Sequence, residues 1–112
     1  MFKGIISEGG SVTVTFEADH SNNGSTGVFF GYVPKGESTG RDTVFKPVAP
    51  GGSHTVESRV PLASDVWSLK IRIDVPDDEG SGRLIVTEDG EERDNSAIRK
   101  DVTWTYSVDP SE

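Results

Sequence analysis

His20 and His54 are the only histidines in the chain, and so the only side chains whose ordinary titration falls near neutral pH. Neither stands in a recognisable catalytic or ligating pattern. No Gly-x-Ser-x-Gly elbow, His-Glu-x-x-His helix or phosphate-cradling loop occurs. There is no cysteine, which excludes thiolate zinc sites, iron–sulfur clusters, disulfides and cysteine nucleophiles. These absences point away from an enzyme. The carboxylates are more suggestive, because they gather in three turn-like stretches: Asp19 with Asn22 and Asn23, Asp77-Asp78-Glu79, and Glu88 to Asp94. Calcium takes about six to eight oxygens, which loops at one end of a β fold can supply jointly. The candidate metal ligands are therefore Asp77, Asp78, Glu79, Asp89, Glu91 and Asp94, with Ca2+ as the cation. Asp19 to Gly24 also keeps the early spacing of a calcium loop, but Phe30 stands where the closing bidentate Glu belongs. An Asp89-Gly90 turn sets Glu88 against Glu91, a like-charge pair that a cation, or ordinary water and salt, would relieve.

The aromatic residues suggest a second kind of chemistry. Asn23-Gly24 is a strong two-residue hairpin signal, since a type I′ turn needs positive φ at both central positions. Such a hairpin places Val14 opposite Val33, Phe16 opposite Gly31 and Ala18 opposite Phe29 on the buried face. Phe30 and Tyr32 then point outward across from Glu17 and Thr15, and these four are the candidate ligand-binding residues. A Phe and a Tyr two residues apart on a flat strand make a platform for stacking on sugar rings or on a protein surface. Lys70 and Arg72, with Arg59, form a small cationic strip suited to a carboxylate ligand, an acidic partner or simple cross-strand charge pairing. Asn23-Gly24-Ser25 matches a glycosylation acceptor, which matters only in a secretory eukaryotic host.

The elements that must position these residues are strands. Val12, Val14, Phe16 and Ala18 alternate with polar residues, as do Trp67, Leu69, Ile71, Ile73 and Val75, and again Val102, Trp104, Tyr106 and Val108. Turn residues separate such runs, giving about eight strands over 2–7, 11–18, 27–33, 43–47, 54–61, 66–75, 83–88 and 102–108. A single helical turn at 96–101 is the nearest thing to a helix. Strands this short, with mostly tight links, cannot make parallel crossovers, which need about a dozen residues or more. The expected fold is an all-β antiparallel two-sheet β-sandwich, immunoglobulin-like or jelly-roll, forming a single domain over residues 1–112. Trp67 and Trp104 are its expected core anchors.

Charge narrows the partners. The formal charge is −8 over 112 residues, which opposes nucleic acid, and no apolar run approaches the ~20 residues of a membrane-spanning helix. Met1 to Glu8 turns acidic too soon for a secretory leader. Glu88-Asp89-Gly90 with Asp94-Asn95, Val102 and Trp104 resembles the tail of bacterial calcium-dependent fucose/mannose lectins, although Ser96 to Lys100 departs from their Asp/Asn series. Val60-Pro61-Leu62 to Trp67, with Leu84-Ile85-Val86, is similar in rhythm to small immunoglobulin-like accessory domains of bacteria. Each covers less than a third of the chain, so neither assigns a family. The expectation is a non-enzymatic, lectin-like binding module that engages a carbohydrate or protein partner through loop ends or the exposed Phe30/Tyr32 face. The alternative is a structural subunit that buries that face against another chain, as in an oligomer.

Overall fold

The computed structural model describes residues 1–37, 41–76 and 80–110. The described residues form nine strands: β1 (Phe2–Ser7), β2 (Ser11–Ala18), β3 (Thr26–Pro34), β4 (Arg41–Val48), β5 (Ser53–Arg59), β6 (Val66–Asp74), β7 (Gly82–Glu88), β8 (Glu91–Ile98) and β9 (Val102–Asp109). They build a five-stranded sheet in the order β1-β9-β6-β3-β4 and a four-stranded sheet in the order β5-β2-β7-β8. The fold is the expected all-β sandwich. Val12, Val14 and Phe16 of β2 meet Leu69, Ile71 and Ile73 of β6, and Trp104 and Tyr106 of β9, in one buried cluster.

Four expectations need correction. First, the larger sheet is mixed, because β1 runs parallel to β9. The crossover limit applies to consecutive strands, whereas here nearly the whole chain is the connection. Second, the expected helical turn at 96–101 begins inside β8, a strand the alternation did not reveal. Its sequence, Glu91-Glu92-Arg93-Asp94-Asn95-Ser96-Ala97-Ile98, has only Ile98 fully buried, and pairing with β7 holds it in the sheet. The Asp89-Gly90 hairpin that joins them is as expected: both residues have positive φ, and Glu88 pairs with Glu91.

Third, β2 and β3 are not a hairpin but lie in opposite sheets, with β2 paired to β5 and β7 and β3 to β4 and β6. Gly24 is not among the glycines at positive φ, so the type I′ requirement is unmet. The Asn-rich stretch is put to another use. Ser21 N–H donates to Asp19 Oδ1 at 2.9 Å, and the buried Asn22 side chain donates to Ser81 C=O at 2.8 Å and accepts from Ser81 N–H at 2.9 Å. These bonds pin the departing chain to the loop before β7 and carry it across to the other sheet.

Fourth, Trp67 is 52% exposed rather than core. Ser68 pairs with Val33 and Val66 with Pro34, so Trp67 is the extra residue of a β-bulge. The bulge reverses the alternation, turning Val66 inward and Trp67 outward, where Lys35 Nζ sits 3.9 Å from the ring centroid.

Candidate functional site

Placing β3 in the five-stranded sheet inverts the expected aromatic face. Phe30 is only 5% exposed and belongs to the core, so it cannot form a surface platform. Thr15 and Glu17 lie on β2 in the other sheet, where Thr15 Oγ1 hydrogen-bonds Thr55 Oγ1 at 3.0 Å. The structure therefore does not bring Thr15 and Glu17 together with Phe30 and Tyr32. Phe29 faces out instead, half-buried on the outer face of the sheet. Phe29 lies opposite Phe45 of β4 on one side and Arg72 of β6 on the other, and Arg72 lies opposite Thr103 of β9. This row crosses the outer face of the larger sheet. The Phe29 and Phe45 rings are 4.8 Å apart and tilted, and the Arg72 guanidinium stands 4.5 Å from the Phe29 centroid. Asp74 fixes that guanidinium through Nε to Oδ1 at 3.0 Å and Nη2 to Oδ2 at 2.6 Å. The same pair holds the Asp74 carboxyl below its usual range and raises Arg72. Phe45 remains 54% exposed at the sheet edge. In the next row Lys70 faces out opposite Gly31 and Thr105, with no ion pair among the described residues.

Tyr32 keeps part of its expected accessibility in a different place. β4 ends one sheet and β5 ends the other, and between them the sandwich opens into a cleft of about 500 Å³. Its walls include Tyr32, Pro34, Val44, Val56, Pro61 and Val66, with Phe30 beneath, where the Phe30 and Tyr32 rings meet edge to face at 5.7 Å. The Tyr32 hydroxyl lies 3.1 Å from Ser58 Oγ, and Ser58 Oγ donates to the Arg59 carbonyl at 3.2 Å. Burial pushes the Tyr32 phenol up, with the Ser58 contact a smaller opposing effect.

The opposite seam is closed by charge. Lys3 of β1 reaches Asp94 of β8 at 3.1 Å while its ammonium lies 4.3 Å from the Trp104 ring centroid. Tyr106 donates its hydroxyl proton to the same carboxylate, and burial is the main cause of its raised phenol pKa. Arg93 donates to Ile5 C=O at 2.8 Å and pairs with Glu88, which accepts from Ser7 N–H at 2.8 Å. The strain between Glu88 and Glu91 is thus relieved by Arg93, a bulged residue of β8 that sequence alternation gave no reason to place there.

These contacts decide where the candidate metal ligands stand. Asp89 accepts from Ser11 N–H at 2.9 Å, Asp94 holds Lys3 and Tyr106, and Glu91 is exposed. Among the described residues, no three His, Asp or Glu side chains converge as a cation would require. Asp77, Asp78 and Glu79 lie outside the described residues. His20 projects into solvent beside Asp19, and His54 is half-buried on β5 opposite Phe16. No protein-family model matches the chain, and neither a curated protein nor a solved structure is significantly similar to it.

Proposed function

We propose that the chain is a non-enzymatic binding module that engages a carbohydrate or protein partner through the outer face of its five-stranded sheet. The supporting observation is the cross-strand row of Phe45, Phe29 and Arg72, with the Phe45 ring 54% exposed on an edge strand. Aromatic rings and arginine are the side chains that yield most binding energy per contact, and a fixed guanidinium beside a ring adds polar direction to an apolar surface. Thr103 continues the row on β9, and the next row carries Gly31, Lys70 and Thr105, so a cationic side chain stands beside the rings. The test is to probe glycan and peptide arrays with the native chain and with Phe45→Ala. Binding that falls at least about tenfold in the variant, at unchanged melting temperature, supports the reading. Partners bound equally by both proteins overturn it.

A structural role is the second reading, supported by large apolar residues at both edges of the same sheet: Phe2 and Ile5 on β1, Val44 and Phe45 on β4. Edge strands of that kind invite pairing between copies. A discrete oligomer on size-exclusion chromatography favours assembly, and a monomer at micromolar concentration favours the binding module.

A further inference from the structure

The cleft between β4 and β5 has the size of a small-molecule site, about 500 Å³ against a usual range of roughly 300–1,000 Å³. Its walls among the described residues are mostly apolar, which suits an apolar occupant. Its polar chemistry follows from counting protons. Ser58 has one hydroxyl proton and gives it to the Arg59 carbonyl, which can only accept. The proton in the Tyr32–Ser58 contact must then come from Tyr32. That leaves the Tyr32 oxygen with lone pairs and no proton to offer, so it can only accept from a ligand. Glu57 alternates with Val56 and Ser58 on β5 and is exposed, which leaves the Tyr32 oxygen as the acceptor within the described walls. The chain as a whole carries −8, which favours neutral or cationic ligands over anions.

We propose that this cleft binds a small apolar amine, with the hydrocarbon body against Val44, Val56 and Pro61 and the N–H donated to the Tyr32 oxygen. The site is separate from the outer-face row, and either can fail without the other. The experiment uses N-phenyl-1-naphthylamine, an uncharged aryl amine that fluoresces in apolar surroundings, and its anionic counterpart 1-anilinonaphthalene-8-sulfonate. The amine should bind saturably, one molecule per chain, and the sulfonate at least about tenfold more weakly. Val44 is 51% exposed at the mouth, so Val44→Trp should fold normally yet weaken amine binding by about tenfold or more. Tyr32→Phe should weaken it by about threefold to tenfold, the effect of one lost hydrogen bond. No saturable amine binding overturns the site. So does native-like binding in both Val44→Trp and the deeper Val56→Trp, which would place the probe elsewhere. Sulfonate binding as tight as the amine's, or an unchanged affinity in Tyr32→Phe, overturns the amine assignment.

Discussion

Replacing Asp94 by alanine removes a carboxylate of β8 that holds both Lys3 and Tyr106 of the other sheet at the β1/β8 seam. Tyr106 is fully buried, so its hydroxyl would lose the acceptor that Asp94 provides. A buried hydroxyl left unpaired costs about 1–3 kcal/mol, and here the lost bond was to a charged acceptor, at the upper end of that range. Lys3, whose side chain is only 18% exposed, would lose its counter-ion as well. Because Lys3 can swing toward solvent, that adds about 1 kcal/mol at most. The total is about 3 kcal/mol. Unfolding entropy of about 2.1 cal/mol/K per residue, over 112 residues, makes each kcal/mol worth about 4 °C. The melting temperature should therefore fall by roughly 10–15 °C in scanning calorimetry at pH 7. Tyr106→Phe removes the hydroxyl together with its need for an acceptor and should cost only about 1 kcal/mol. A loss below about 1 kcal/mol in Asp94→Ala would show that the seam does not depend on this carboxylate.

Three further outcomes follow from the same packing. Burial raises the phenol pKa of both Tyr106 and Tyr32 above the ordinary 10.0, so the unfolded chain sheds these protons first as pH rises. The stabilisation is complete below about pH 10 and declines above it; a urea midpoint equal at pH 9 and pH 11 would refute this, and Tyr106→Phe should blunt the decline. Acrylamide should quench the emission of Trp67 readily and leave that of Trp104 protected, and Trp104→Ala should cost about 3–5 kcal/mol where Trp67→Ala costs less than about 1. Equal quenching in the two single-tryptophan variants would contradict the bulge. A Cβ added at Gly82 would clash with the Phe16 ring and the Glu17 carbonyl, so Gly82→Ala should lower stability by about 1–3 kcal/mol in urea melts, and a neutral result would mean β2 and β7 pack less closely.

Strands with a buried apolar stripe were legible in the sequence because period two survives wherever one face meets the core. Val12 to Ala18 and Val102 to Val108 alternate as their burial does. β8 was not legible, since an edge strand needs little apolar surface when its neighbour supplies the ladder and Ile98 alone reaches the core. The Asp89-Gly90 turn was readable because the two residues force their own geometry. Asn23-Gly24 misled because the partner of β2 was settled by packing far along the chain, against β5 and β7. The error spread to the site: exchanging the faces of β3 turned Phe30 inward and brought Phe29 to the surface. Trp67 went astray for a different reason, as one inserted residue reverses every side chain before it, and nothing in Val66-Trp67-Ser68 marks the insertion.

Which rings are free to meet a partner depends on β2 and β3 lying in opposite sheets, and cross-strand proton contacts in a nuclear Overhauser spectrum read that directly. Backbone contacts should link Val14 to Val56 and Val86, and Phe29 to Phe45 and Arg72. Contacts linking Val14 to Val33, or Ala18 to Phe29, would restore the hairpin, return Phe30 to the surface and contradict the assignment of the binding face.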